Sequence, residues 1–240
     1  MSKRRFNVVL IIAVVFLAAA AFAFSPYFRI ENIEIYGNEI IPESKIRELL
    51  EISESQNIFL FNAGKANKRL QANPYMEHAE FERVFPNGLN VKILERRRCG
   101  YIKHRENTFL YIDDSGFALE TNSEPLARLP SITGLGIKDI QLGALLNVEN
   151  TEVLKTVIFY TQTIKKHEFL PYVSYIDVSD AANAAVRVGG IEFNLGDYND
   201  ADEKVRTMIQ IYNSLPNAEI LRGIVDLKVI RSQYICKIVG

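Results

Sequence analysis

The sequence predicts an α+β protein: an N-terminal transmembrane helix, a small strand-helix-helix-strand-strand domain, and a larger mixed α/β domain with an antiparallel sheet. Three observations predict this architecture. Residues 8–24 are all Val, Leu, Ile, Ala or Phe. Residues 28–95 pass from alternating to helical periodicity and back. Further strand and helix signals follow, separated by turn residues. The predicted boundaries are 1–5 for a cytoplasmic tail, 6–28 for the transmembrane helix, 29–97 for the first exported domain and 98–240 for the second.

The N-terminal segment decides the compartment. As a helix, the apolar run would be about 26 Å long, close to the hydrocarbon thickness of a bilayer. Lys3, Arg4 and Arg5 precede it, and the positive-inside rule keeps them in the cytoplasm. A cleaved signal peptide is the alternative, because Ala21-Phe22-Ala23 is an A-x-A site. Under either hypothesis the remainder of the chain lies across the membrane.

The charge balance argues against nucleic acid as a partner. The 240-residue chain has 28 basic and 29 acidic residues. Without the three basic residues of the N-terminus, 25 basic residues face 29 acidic ones, a net charge of −4. An exported, mildly acidic protein has no field that would attract DNA or RNA. The apolar share of 48% indicates a folded chain.

The first exported domain reads as five elements. Residues 30–37 alternate and end at a Gly37-Asn38 turn, which predicts a strand. A helix follows, with Ile46, Leu49 and Leu50 on one face. A second helix is predicted over about residues 63–72, stopped by Asn73-Pro74. Two strands joined by Pro86-Asn87-Gly88 complete the domain, and a three-stranded sheet with two helices on one face buries the apolar sides.

The stretch ILERRRCGYIKHR, residues 93–105, contains three consecutive arginines. Three interpretations are open. The first is a solvated strand end, with Arg97 and Arg98 facing water. The second is a contact with an acidic partner or an anionic polymer. The third is an ion pair between Glu95 and an arginine of the same domain, worth under about 1 kcal/mol if exposed.

The second exported domain is predicted to begin with a hairpin around Asp113-Asp114-Ser115-Gly116. Two helices follow later in the chain, with three short strands between them and a strand-rich C-terminal segment. The apolar stripes of these helices are predicted to be Val153, Leu154, Val157, Ile158, Thr161 and Ile164 in the first, and Val205, Met208, Ile209 and Tyr212 in the second.

Neither the cysteines nor the other polar residues point to an active site. Cys99 and Cys236 could form one disulfide outside the cytoplasm, or both could be free thiols. The chain contains no nucleophile elbow, H-E-x-x-H, P-loop or paired cysteines. No pair of carboxylates is positioned by the sequence for acid–base work. The protein is therefore predicted not to be an enzyme and to need no cofactor or metal.

The first exported domain resembles a POTRA domain. Its strand with Y-G-N, its I…LL helix and its second half, NPYMEHAEFERVFPNGLNVKILERR, all follow the POTRA pattern. One POTRA domain directly after a single transmembrane segment resembles the FtsQ/DivIB cell-division family, which usually continues with Pro and small apolar residues where this chain has Arg98, Cys99 and Gly100. The matching positions include Gly37, Pro74, Met76, Arg83, Pro86, Leu89, Val91, Ile93, Glu95 and Arg96.

The second half is similar to the β-domain of the same family. LPSITG, YIDVSD, IEFNLGD with Gly196, a helix carrying Lys204, and VDLKV occur in the family order. The resemblance implies a non-catalytic bitopic scaffold of the divisome, in the cytoplasmic membrane and at the division septum. It implies partners of the FtsB/DivIC and FtsL type, and through them the septal peptidoglycan synthase complex. The partner-binding strand is predicted in the last strand region, with Val229, Arg231, Gln233, Tyr234 and Ile235 as candidate contacts.

A second function class stays open. POTRA modules of other envelope systems act as chaperone-like or transport-accessory proteins that bind passing chains by strand addition. Those modules usually occur in tandem before a β-barrel, whereas one copy is present here, followed by about 145 residues with two helical stretches.

Overall fold

A computed structural model describes residues 3–53, 55–105, 107–126, 128–215, 221–229 and 236–238. Of these, residues 3–5 and 236–238 are described by their backbone only. The chain forms two compact units, Met1–Glu95 and Arg96–Gly240.

The first unit begins with helix α1, Lys3–Ala23. Its large apolar side chains are exposed, and the stretch Phe6–Ala23 is long and apolar enough to cross a membrane. A helix that exposes an all-round apolar surface is stable in lipid but not in water. The apolar N-terminal helix of the predicted fold is therefore present.

A three-stranded sheet with two short helices forms the rest of the first unit. The middle strand is the last one along the chain: the order is β1-β3-β2, with β1 parallel and β2 antiparallel to β3. The predicted strand-helix-helix-strand-strand order is confirmed, and the second helix ends two residues earlier than predicted. The elements are β1 Asn32–Tyr36, α2 Glu43–Leu50, α3 Ala63–Leu70, β2 Met76–Val84 and β3 Gly88–Glu95.

The end of β3 holds the loop between β1 and α2. The Glu95 carboxylate accepts the backbone N–H groups of Glu39, Ile40 and Ile41 at 3.0, 2.8 and 2.7 Å. Gly37 lies in the same loop with φ +85°, and a Cβ there would meet the Ile93 carbonyl oxygen at 2.5 Å. Only glycine fits this approach. Both residues thus fix the loop that leads into α2.

Two prolines of the POTRA pattern lie in turns. Pro74 lies between α3 and β2, where the Asn73 side chain accepts the N–H of Tyr75 at 3.0 Å. Pro86 lies between β2 and β3, after a cis peptide bond from Phe85. Neither residue has to supply a backbone N–H to the sheet.

The second unit contains one large sheet. In the described residues the strand order is β14-β13-β12-β11-β10-β7-β4-β5-β6, and a separate pair is formed by β8 and β9. The elements are β4 Gly100–Arg105, β5 Thr108–Ile112, β6 Ala118–Asn122, β7 Ser131–Thr133, β8 Ile137–Asp139, β9 Asn147–Val148, α4 Thr151–Lys166, β10 Val173–Asp177, β11 Ala184–Val188, β12 Ile191–Gly196, α5 Ala201–Ser214, β13 Gly223–Asp226 and β14 Cys236–Ile238.

The large sheet is mixed rather than antiparallel. Strand β7 pairs parallel with both β4 and β10, and β12 pairs parallel with β13. Parallel neighbours need a crossover, and α5 supplies it between β12 and β13. The other parallel pairs arise because the short strand β7 forms within the connection between β6 and α4.

Helices α4 and α5 contact each other and share one apolar core with the sheet. On α4, five of the six predicted stripe residues are buried, and Ile158 is half-buried. The prediction missed two further buried residues of this helix, Thr156 and Tyr160. On α5, Val205 and Met208 are buried, and Ile209 and Tyr212 are half-buried.

Cys99 is a buried free thiol, so the disulfide alternative is not realised in the structure. Burial raises the pKa of this thiol far above its usual range, and the nearby Asp114 adds to the effect. A neutral, buried thiol is unreactive. The side chain of Cys236 lies outside the described residues.

Candidate partner-binding edge

Among the residues that the structure describes, the large sheet ends on one side at β14 and on the other at β6. Strand β14 pairs antiparallel with β13, matching Ile224 with Lys237 and Val225 with Cys236. An edge strand carries unpaired N–H and C=O groups along its outer side, and these can accept another strand. The C-terminal strand region predicted to bind a partner therefore includes one edge of this sheet.

Of the five predicted contact residues, only Val229 lies within the described residues. Val229 is exposed, but it lies in a bend after β13 and not in a strand, so its predicted strand position is wrong. The Asp226 carboxylate accepts the N–H of Lys228 at 3.0 Å and turns the chain at this point. The other four residues, Arg231, Gln233, Tyr234 and Ile235, lie outside the described residues.

Strand β13 lies between the edge strand β14 and the core. Val225 and the following Leu227 are buried, while Ile224 is exposed. The N–H of Leu227 donates to the carbonyl of Asn194 in β12 at 2.8 Å. One face of β13 is thus fixed in the core, and the other presents an apolar side chain next to the outermost strand.

A buried polar cluster lies where β12 leads into α5. The Lys204 side chain is only 4% exposed, and its Nζ donates to the carbonyl and to Oδ1 of Asp197 at 2.9 and 3.1 Å. The Tyr160 hydroxyl, from α4, lies 2.5 Å from the same Asp197 carbonyl. Hydrogen bonding from Lys204 holds the pKa of the Asp197 carboxyl below its usual range. Burial raises the pKa of Tyr160.

Gly196 and Lys204, predicted together as family-pattern residues, meet in this cluster. Gly196 has φ +73°, and a Cβ there would lie 3.2 Å from the Lys228 side chain. Lys228 in turn donates to the Asn183 side chain. The cluster therefore fixes the end of β12, and Lys228 separately links the turn that follows β13 to Asn183. Its residues satisfy buried polar groups and support the sheet edge.

The arginine run has a structural role at its first residue. Arg96 donates to Asp113 at 2.6 Å, and its guanidinium carbon lies 3.6 Å from the ring centre of Phe117. Asp113 also accepts the backbone N–H groups of Ser115 and Phe117 at 2.9 and 2.7 Å. The turn at Asp113 is confirmed, and Arg96 closes it. An ion pair of Arg96 with Glu95 is not formed, since Glu95 binds the loop after β1.

The other two arginines differ from each other. Arg97 is exposed, as predicted. Arg98 is half-buried and pairs with Glu120 at 2.9 Å, so the prediction that it faces water is wrong. Its guanidinium also lies 5.9 Å from the ring centre of Tyr111. Pairing of β5 with β6 places Tyr111 beside Glu120 and brings both to Arg98. No local sequence pattern predicts this contact.

Sequence reasoning missed Tyr160, Asp197 and Asp113 as parts of these clusters. Tyr160 follows Val157 by three residues and precedes Ile164 by four, a helical spacing that could have placed it on the buried stripe. Asp197 and Asp113 carry no comparable signal. Within the described ranges, no group of three or more His, Cys, Asp or Glu side chains could hold a metal ion.

Comparison with known proteins agrees with this geometry. A family model described as "POTRA domain, FtsQ-type" matches residues 28–96. The cell division protein DivIB of Clostridium botulinum strain Hall is 27% identical over 203 residues, which cover 84% of this chain and 79% of the relative. Cell division protein FtsQ of Syntrophotalea carbinolica is 24% identical, over 92% of this chain and 78% of the relative. DivIB of Staphylococcus aureus NCTC 8325 is 22% identical, over 87% of this chain but only 46% of its own length.

These relatives are named as cell division proteins, and their similarity extends well beyond the matched domain. The structure has the apolar N-terminal helix, the small three-stranded domain and the sheet-rich second unit that the resemblance implies. Residues 28–96 match the FtsQ-type POTRA domain, and the chain is similar over most of its length to cell division proteins named DivIB and FtsQ.

Proposed function

We propose that the chain is a non-catalytic, single-pass membrane scaffold of the bacterial divisome. In this proposal residues 1–5 lie in the cytoplasm, residues 6–28 span the cytoplasmic membrane, and the POTRA domain (29–97) and β-domain (98–240) face outward. The protein binds other division proteins at the septum and connects early assembly to septal peptidoglycan synthesis.

The observation that carries the proposal is similarity to cell division proteins over most of the chain, together with an exposed apolar helix at the N-terminus. The matches cover 84% and 92% of this chain, so the second unit belongs to the similarity as well. No comparable observation favours the alternative of a chaperone or transport-accessory module.

The partner-binding part of the proposal places a strand of an FtsB/DivIC-type protein, with FtsL, along β14. Support comes from the position of β14 at the sheet edge and from β13, which the core holds firmly beside it. Main-chain hydrogen bonds would supply affinity, and side chains such as the exposed Ile224 would supply specificity.

Cellular location tests the scaffold proposal. A fluorescent protein fused to the Met1 end should form a mid-cell band that constricts with division. A matched fusion to residues 1–28 alone should label the whole envelope evenly, because it lacks both outer domains. An even rim from the full-length fusion would contradict the divisome role, and release of the exported part at Ala23 would contradict the tether.

Proline substitution tests the edge. Proline removes a backbone donor, and neighbouring residues of an edge strand point their N–H groups to opposite sides. Lys237→Pro and Ile238→Pro together therefore sample both sides of β14. At least one should abolish co-purification of the FtsB/DivIC-type partner from a folded protein. Thr121→Pro and Asn122→Pro in the opposite edge strand, β6, are the matched controls and should leave it unchanged. Retention of the partner by both folded β14 variants would contradict this edge.

A further inference from the structure

The POTRA domain exposes a group of large apolar side chains at the end nearest α1. Phe59 is 47% exposed, Leu60 62% and Phe85 56%. These three residues, called the apolar patch below, come from two separate segments: the 3-10 turn Ile58–Leu60 and the connection between β2 and β3. Water-exposed Phe and Leu at one place on a small domain indicate a surface that is covered in use.

The apolar patch is continuous with the end of the apolar helix. Ring centroids lie 5.2 Å apart between Phe22 and Phe28, 5.0 Å between Phe28 and Phe59, and 5.3 Å between Phe59 and Phe85. These are ordinary aromatic contact distances. A row of four rings therefore runs from the last turns of α1 to the far side of the patch.

Polar side chains hold the patch in place. The buried Asn57 side chain donates to the carbonyl of Ala23, the last residue of α1, at 2.8 Å and accepts the N–H of Phe59 at 2.9 Å. Arg83 donates to the carbonyls of Ile58 and Phe61, both at 2.9 Å. The turn that presents Phe59 and Leu60 is thus fixed on both sides, and one of its supports is the helix end itself.

The segment that presents Phe85 lies at the same end of the domain. The Asn87 carbonyl accepts the N–H groups of Glu31, just before β1, and of Asn32, its first residue, at 3.0 and 3.2 Å. Strand β1 runs away from this end and finishes at Tyr36. The patch and Tyr36 therefore occupy opposite ends of the sheet.

We propose that the apolar patch lies in the outer interfacial layer of the lipid bilayer, as a second membrane contact beside the transmembrane helix. This rests on the proposed membrane anchoring through α1. Aromatic and leucine side chains favour that layer. The row of rings makes the patch an extension of the lipid-facing surface, which favours lipid over a protein partner as its occupant. The exposed Arg29 and Glu31 flank the junction with opposite charges, so contact depends on apolar area rather than on anionic lipid.

A tryptophan probe tests the proposal, because the chain contains no tryptophan. Phe59→Trp places a single probe in the patch. Tyr36→Trp is the matched control, since Tyr36 has the same 47% exposure at the far end of β1. Each full-length variant is reconstituted in phosphatidylcholine vesicles with or without brominated acyl chains. Emission from the patch probe should shift to shorter wavelength and be quenched by brominated lipid, with little dependence on salt. Emission from the control probe should stay red-shifted and unquenched.

The outcomes separate this proposal from the anchoring on which it depends. Phe85→Trp repeats the measurement from the second segment and guards against misfolding of the first variant. If the chain stays in the vesicles after alkaline extraction while both patch probes are unquenched, the patch proposal is overturned and the anchor stands. If alkaline extraction removes the chain, both are overturned. A blue-shifted but unquenched probe would mean burial against protein and would also overturn the lipid assignment.

Discussion

Two aspartates of the β-domain show how differently ion pairs work in one fold. Asp202, near the start of α5, is partly exposed and contacts two cationic side chains, Lys166 and Arg206, and the imidazole of His167. Asp113 has one cationic partner, but it is only 2% exposed and Arg96 only 13%. If the number of partners decided the contribution to stability, Asp202 would contribute more than Asp113. Burial reverses the ranking, because water screens the exposed group and cannot replace the partner of the buried one.

The comparison shows that the buried Arg96–Asp113 pair helps to hold the backbone, while the ion pairs of Asp202 lie on the surface and hold only side chains. Asp113 receives two backbone N–H groups as well as Arg96, so its carboxylate organises a turn. The Asp202 carboxylate accepts hydrogen bonds from side chains at the surface, and water could form hydrogen bonds with these groups equally well. Three substitutions test this ranking, from the largest expected effect to the smallest.

Replacement of Arg96 by Met should have the largest effect. The change leaves the Asp113 carboxylate buried without its cation, and such losses cost about 3 kcal/mol of unfolding free energy. Urea unfolding of the full chain in detergent micelles, followed by near-ultraviolet circular dichroism, measures the loss. Lys103→Met, at an exposed position of β4, is the control and should change the unfolding free energy by less than about 0.5 kcal/mol. Equal stability of the two variants would show that burial does not set the ranking.

Replacement of Lys204 by Met should have an intermediate effect, about 1–2 kcal/mol from the loss of charge-assisted hydrogen bonds. Met keeps most of the side-chain volume, so cavity formation adds little. The loss is smaller than for Arg96, because the Asp197 side chain is 49% exposed and stays hydrated without its partner. The same unfolding measurement applies. Lys155→Met, in the exposed pair with Glu152, should show no measurable change. A Lys204 variant as stable as that control would contradict a supporting role for the cluster.

Replacement of Asp202 by Asn should have the smallest effect and a definite pH dependence. Hydrogen bonds from Lys166 and then Arg206 hold the pKa of this carboxyl well below its usual range. A depressed folded-state pKa adds stability above the unfolded value of about 3.9, and the gain is lost as the pH falls through the folded value. The melting temperatures of Asp202→Asn and the parent should therefore differ slightly at pH 7 and converge in strong acid. A difference that grows on acidification would reverse the sign and contradict the assignment.

The POTRA domain was largely predictable from the sequence, and the reason is its periodicity. Each of its strands is long enough to alternate, and each of its helices places apolar residues three and four apart. The turns carry Gly37, Pro74 and Pro86, whose backbone requirements are visible in the residue type alone. Local rules and the fold agree in this domain, so the element order followed directly.

The β-domain and its clusters were less predictable, because their decisive contacts are long-range. Strand β7 has three residues, too few to show a period, yet it makes parallel pairs on both sides in a sheet that was predicted to be antiparallel. Arg96 meets Asp113 seventeen residues away, and Tyr160 meets Asp197 thirty-seven residues away. Pairings at these separations depend on the sheet register, which no single segment specifies.

The strand order of the POTRA domain constrains how the domain can form. The central strand, β3, is the last to be synthesised, and the carboxylate that locks the loop after β1 is its final residue, Glu95. In the proposed topology the N-terminus stays in the cytoplasm and the residues after the transmembrane helix cross in chain order, so β1 crosses long before its partner β3. Neither outer strand can be paired until residues 88–95 have crossed. Under that topology the three-stranded sheet can form only after its last eight residues have crossed.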